Sequence, residues 1–144
     1  MAVSDKDAMH VVWERSVRAT HAFLSEEDIA FFSPMVREMF GLDMEFWVAL
    51  EEEQLLGFMA LDIGAAPVKL EALFIDPAHF RKGAGRALAA KAMELYGSLV
   101  LDVNEQNPGA HAFYRRLGFT ETGRSPLDGA GKPFPLIHMK SGSF

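Results

Sequence analysis

The chain has 144 residues, 49% of them apolar and 24% charged, which suits one domain with a single core. It contains no cysteine, so disulfides, thiolate metal sites and a cysteine nucleophile are excluded, and its formal charge of −6 argues against nonspecific nucleic-acid binding. No apolar run reaches the roughly 18 residues a membrane span needs, and "MAVSDKDAMH" lacks the basic and apolar regions of a secretory signal. The expectation is a cytoplasmic domain over residues 1–144 with no membrane or nucleic-acid partner.

Ser4 and Asp7 resemble a capping box opening an amphipathic helix through "AMHVVWERSVRATHAFL", with Val12, Ser16, Ala19 and Phe23 at helical spacing. Ser25 and Asp28 repeat the signature for a second helix, Ser33-Pro34 reads as a restart, and Gly41 as a stop. "EFWVALE" and "LLGFMALDI" around "EEQ" predict a hairpin, and "VKLEALFI" a strand broken at Asp76-Pro77. A helix follows from Gly83 to Tyr96, with Leu88, Ala92 and Leu95 as its apolar stripe. "LVLDV" is apolar enough for a buried strand. Asn107-Pro108 supplies N-cap and first turn of a helix through Leu117, and "FTETG" and "FPLIHMK" complete the strands. This order predicts an α+β domain with a mixed sheet.

Charge is unevenly placed: "FRKGAGR" is a basic island, and "DMEFWVALEEEQ" is acidic. Strand, proline turn, Gly83-Ala84-Gly85 and helix start together present unpaired N–H groups at a positive helix end, a ready anion site. The segment lacks the Gly-Lys-Ser/Thr of a P-loop, and Leu88 breaks the dinucleotide pattern. In "VNEQNPGAHAFYRRLGF", Asn107 and Tyr114 lie seven apart, two turns on one helix face.

Together, "LEALFIDPAHFRKGAGRAL" and "LDVNEQNPGAHAFYRRLGF" resemble the GCN5-related N-acetyltransferase (GNAT) family. "ATHAFLS", "VNEQN" and "GRSPLDGAGKPFPLIHM" resemble its YjaB-type bacterial branch. The resemblance implies a three-layer α/β/α fold with a mixed, mostly antiparallel sheet. It also implies acetyl-CoA as donor and direct transfer, in a ternary complex, to a primary amine of a protein or small molecule. Leu73, Phe74 and Ile75 would then meet the pantetheine arm on a strand that bulges and splays from "LVLDV". Arg81, Lys82, Gly83, Ala84, Gly85 and Arg86 would take the pyrophosphate. Asn107, with Asn104, would contact the arm, and Tyr114 would bind there and protonate the leaving thiolate. Glu71 is the first candidate base, sharing Leu73's side of the strand unless the bulge intervenes, with His21 and His138 as alternatives. Trp13, Thr20, His21 and Phe23, with His138 in the C-terminal segment, are the acceptor-pocket candidates. No metal is expected.

Two departures from the family pattern stand out. Phe80 takes the position of the usual Arg or Gln in the loop, leaving Arg81 or Lys82 to substitute. The first strand is missing or very short, which would expose a sheet edge and leaves a monomer or a homodimer open. An acetyl-CoA-binding module without turnover is the rival reading; a binder has no need of Tyr114 as an acid.

Overall fold

The computed structural model describes residues 3–21, 24–39, 44–52, 54–64, 66–79, 83–128 and 131–141. Two helices come first, α1 (Val3–Thr20) and α2 (Glu26–Met39), then three strands, β1 (Glu45–Glu51), β2 (Gln54–Asp62) and β3 (Val68–Ile75). A 3₁₀ turn (Pro77–His79) leads to α3 (Ala84–Tyr96), β4 (Leu99–Asn104), α4 (Pro108–Arg116), β5 (Phe119–Ser125) and β6 (Leu136–Ser141). Among the described residues no strand precedes α1, as the sequence leads one to expect, and β1 forms the sheet edge.

The six strands run in the order β1-β2-β3-β4-β6-β5. Every neighbouring pair is antiparallel except β3 and β4, which α3 joins as a crossover. The central strands are covered on both faces, while β5 at one edge is largely exposed. On one side Met59, Leu61, Leu70, Leu99, Leu101 and Val103 pack under α3 and α4, which contribute Leu88, Ala92 and Tyr114. On the other, Phe58, Ala60 and Ala72 meet Met9, Val12, Trp13 and Val17 of α1 and Ile29 of α2. These are the three layers that the resemblance implies.

Local chemistry sets most element ends. Ser25 Oγ accepts from the Asp28 N–H at 3.1 Å while Asp28 Oδ2 accepts from the Ser25 N–H at 3.0 Å, a reciprocal cap that starts α2. Asn107 Oδ1 accepts from the Ala110 N–H at 3.2 Å and Pro108 holds the first position of α4. The expected restart at Ser33-Pro34 does not occur: α2 runs through Pro34. Ser33 spends its hydroxyl on His10 Nε2 at 2.8 Å instead of capping, and Phe32 and Val36 pack against the α1-side core across the lost backbone bond. Leu95, expected on the buried stripe of α3, is exposed, because α3 turns it away in its last turn. The expected stop at Gly41 lies outside the described residues.

Candidate functional site

The strand β3 changes its partner halfway along. Its parallel pairing with β4 covers Val68↔Leu99, Lys69↔Val100 and Leu70↔Leu101 and goes no further. Beyond that point β3 continues to Ile75 beside β2, and β4 continues to Asn104 beside β6, so their facing edges splay apart. At the apex the β2–β3 register jumps from Ala60↔Ala72 to Leu61↔Leu70, which leaves Glu71 as the extra residue of a bulge. The bulge flips the side-chain parity. Leu70 packs in the α3-side core and Ala72 in the α1-side core, positions that an unbroken strand would put on one face. Glu71 therefore does not share Leu73's side; it comes within 3.7 Å of Lys69 Nζ, while Leu73 packs toward α3.

The gap opens into a cleft of about 550 Å³. Its walls are Glu71 to Ile75 on one lip, Asp102 to Asn104 on the other, the start of α3, and α4 with Asn107 and Tyr114. The helix start is built for an anion. Gly83 sits at φ 84°, a left-handed conformation, and caps α3 with no side-chain hydrogen bond. The first intrahelical bond is Ala87 N–H to Gly83 O at 2.9 Å, so the N–H groups of Ala84, Gly85 and Arg86 have no intrahelical acceptor. A Cβ on Gly83 would meet no described residue within 4 Å. Exposed Arg86 adds a positive charge to the same end.

Across the cleft, Tyr114 is buried between Phe113 and Phe119, with ring centroids at 5.1 and 5.5 Å, and no described residue hydrogen-bonds its hydroxyl. Burial pushes its phenol pKa up from the ordinary range, so it holds its proton throughout neutral pH. Asn107 uses its oxygen on the α4 cap, so its NH₂ is the group left for the cleft; that NH₂ lies 3.5 Å from His21 Nε2. Thr20 Oγ1 donates to Ser16 O at 2.7 Å and so accepts from His21 Nδ1 at 2.7 Å. Burial lowers the His21 pKa to about 4, leaving a neutral ring with Nδ1 protonated.

At the apex a charged group spans the lips. Lys69 Nζ lies 3.1 Å from Asp102 Oδ2 and 3.7 Å from Glu71 Oε1. Burial alone would lower the Lys69 pKa, but Asp102 and Glu71 outweigh it and raise the pKa. Burial would raise that of Asp102, but hydrogen bonds from His138 and Lys69 hold it below the usual range.

The cleft thus collects Glu71, Leu73, Phe74, Ile75, Gly83, Ala84, Gly85, Arg86, Asn104, Asn107, Tyr114, Thr20 and His21 from the sequence candidates. Trp13 is not among them: it lies on the inward face of α1 with Met9 and Val17, 4% exposed, where its ring fills the core rather than an acceptor pocket. His138 does not line the cleft either. It stands one strand out on β6, bonded to Asp102. Phe23, Phe80, Arg81 and Lys82 lie outside the described residues. Sequence reasoning passed over Ser16, Lys69 and Asp102; the single acidic residue in "LVLDV" was the available signal.

Comparison with known proteins gives a consistent picture. The family model for the acetyltransferase (GNAT) domain matches residues 43–121. The peptidyl-lysine N-acetyltransferase YjaB of Escherichia coli (strain K12) is 43% identical over 129 residues, covering 89% of this chain and 84% of that protein. The solution structure of apo-form YjaB from Escherichia coli superposes with a TM-score of 0.85 at 38% identity, covering 98% of this chain and 93% of the other. The PaiA N-acetyltransferase of Thermoplasma acidophilum, solved in complex with coenzyme A, gives a TM-score of 0.78 at 25% identity over 98% and 94% of the two chains.

Proposed function

Because the chain belongs to the GNAT family of acetyltransferases, with acetyl-CoA as donor, we propose that it acetylates the side-chain amine of lysines in proteins or peptides. The observation that carries this reading is the splay of β3 from β4 beyond Leu70 and Leu101, which gathers strand edges, an open helix start, a buried phenol and two carboxylates around one gap. The naming of two similar bacterial proteins as peptidyl-lysine N-acetyltransferases supports the lysine acceptor, as do Glu71 and Asp102 on the cleft wall, since carboxylates attract an ammonium.

The residues fit the donor. Unpaired N–H groups of Ala84 to Arg86, with the helix dipole and Arg86, suit its pyrophosphate. The free edge of Leu73 to Ile75 suits an arm that pairs with backbone, and the NH₂ of Asn107 faces the same gap. When bound, acetyl-CoA supplies an electrophilic carbonyl and a thiolate leaving group. A backbone N–H on the free edge of β3 would stabilise negative charge developing on that carbonyl, an effect worth about 2.7–4 kcal/mol per donor in comparable sites. Glu71 meets the acceptor's ammonium at the apex. Tyr114 holds a proton at its phenol oxygen for the departing sulfur. Burial raises its pKa, so the phenol enters the reaction protonated.

The test is release of free CoA from acetyl-CoA with three acceptors: a lysine peptide, the same peptide with lysine replaced by glutamine and a free N-terminus, and a polyamine. The expected result is fastest release with the lysine peptide and acetyl on its side chain by mass spectrometry. Equal rates for the glutamine peptide, or transfer to the polyamine alone, would overturn the lysine assignment.

A further inference from the structure

Strands β4, β6 and β5 carry Asp102, His138 and Ser125 side by side. Leu101, Val103, Ile137 and Met139, their neighbours along β4 and β6, all pack in the α3-side core, so Asp102 and His138 face the opposite way. The sheet residues buried on that opposite side come from β2 and β3, where α1 and α2 lie. Asp102 and His138 keep side-chain exposures of 28% and 35%. They stand directly opposite each other across the β4–β6 ladder, and Ser125, paired with Leu136, is the diagonal neighbour of His138. Gly123 is the residue opposite His138 on β5, and it has no side chain to stand between the ring and Ser125.

Donor and acceptor roles in this row follow from its carboxylate end. Asp102 Oδ1 lies 2.5 Å from His138 Nδ1, and His138 Nε2 lies 2.6 Å from Ser125 Oγ. Burial works against the Asp102 charge, but the hydrogen bonds from His138 and Lys69 outweigh it, so Asp102 is a carboxylate and only accepts. Nδ1 is therefore the donor. In the neutral ring Nε2 is then a bare lone pair, and the Ser125 hydroxyl donates to it. Lys69 Nζ, 3.1 Å from Asp102 Oδ2, fixes the far oxygen of the carboxylate. A hydroxyl aimed at an imidazole lone pair, with that imidazole oriented by a carboxylate, is the arrangement that makes serine a nucleophile.

We propose that Ser125 is a second reactive centre, a nucleophile that takes acyl groups from small carboxylic esters with an acidic leaving alcohol, such as aryl esters. It works without acetyl-CoA and without the helix start that suits the donor. Ser125 Oγ attacks the ester carbonyl carbon as its proton passes to His138 Nε2. The tetrahedral adduct then breaks its bond to the alcohol oxygen, which departs with the proton from Nε2, and the acyl group stays on Ser125. A water that gives its proton to the same Nε2 attacks the acyl-serine; the carboxylic acid leaves and the proton returns to Ser125 Oγ. Ser125 and His138 are the catalytic residues of this reaction. Asp102 touches no reacting atom in it and is a positioning residue, holding the ring in the tautomer that leaves Nε2 bare.

The experiment uses the full chain without acetyl-CoA, an alkyl fluorophosphonate as the serine-directed probe and nitrophenyl acetate as the ester. The expected result is one phosphonyl group on Ser125 by peptide mapping, with the other serines of the chain as the internal control. Nitrophenyl acetate should give a burst of nitrophenolate matched by acetyl on the same residue. His138→Gln should lower the maximal labelling rate at least about 100-fold, the lower end for a proton-transfer group. Asp102→Asn should lower that rate while leaving the probe concentration for half-maximal rate unchanged, a split that general loss of structure does not produce. Ser125→Ala should abolish adduct and burst and leave acetyl transfer to a lysine peptide at the wild-type rate. No adduct on Ser125, labelling spread evenly over the serines, a His138→Gln rate within about threefold of the wild type, or an unchanged rate in Asp102→Asn would overturn the inference. Because the probe reaction needs no acetyl-CoA, its failure leaves the proposed lysine acetylation standing, and failure of lysine acetylation leaves the probe result standing.

Discussion

Replacing Tyr114 by Phe removes one oxygen from the buried wall of the cleft and nothing else. The ring keeps its contacts with Phe113 and Phe119, and no hydrogen bond to a described residue is lost. Stability should therefore change by less than about 1 kcal/mol. Turnover should not be so forgiving. A positioned proton donor contributes about 10²- to 10⁴-fold, which at about 1.36 kcal/mol per tenfold is about 2.7–5.4 kcal/mol of barrier. The expected outcome is a kcat lowered at least 100-fold with a KM for acetyl-CoA within twofold of the wild type. Because the chain has no cysteine, a thiol reagent reads released CoA without background from the protein. The raised phenol pKa adds a second check: Tyr114 stays protonated, so it should give the wild type no alkaline loss of activity below about pH 10. A kcat within threefold of the wild type would refute the acid role of Tyr114.

Three further outcomes follow from the geometry. Gly83→Ala forces a side chain into φ 84°, at a cost of about 1–2 kcal/mol, and puts a methyl group into the space above the helix start; Tm should fall and the Kd for acetyl-CoA should rise by calorimetry, and an unchanged Kd would separate this turn from the donor site. Gly57→Ala places a Cβ 2.7 Å from the backbone oxygen of Phe74, so β2 and β3 must shift; a loss of about 1–3 kcal/mol in urea unfolding is expected, and a neutral result would show that the strand pair gives way freely. His21 titrates at about 4 in the fold against 6.5 when unfolded, so the unfolded chain binds its proton first as pH falls. Its contribution is complete above about pH 6.5 and is lost as pH drops toward about 4, up to about 3 kcal/mol; urea midpoints should show this slope in the wild type and a shallower one in His21→Gln.

Much of the fold was legible because its determinants are local. The Ser25–Asp28 cap, the Asn107-Pro108 start and the glycine turn at Gly83 each work within a few residues through hydrogen bonds and dihedral preference, and each stands where the sequence puts it. Pro34 was misleading for the same reason: a local signal for a helix start lost to burial of Ile29, Phe32 and Val36 against a different helix. Trp13 shows the limit for the site. Its spacing on α1 fits either a pocket or a core, and only the sheet packed against it decides for the core.

The sequence by itself determined the order of elements, the helix ends, the anion-ready turn and the resemblance in its two motif segments. The tertiary structure decided which way Glu71 points, since one extra residue in the β2–β3 register reverses the parity of the strand. It also decided that Lys69, Asp102, His138 and Ser125, four residues spread over 70 positions of chain, form one connected row. Strand order and register are long-range pairings, and side chains brought together by them leave no periodic trace along the chain.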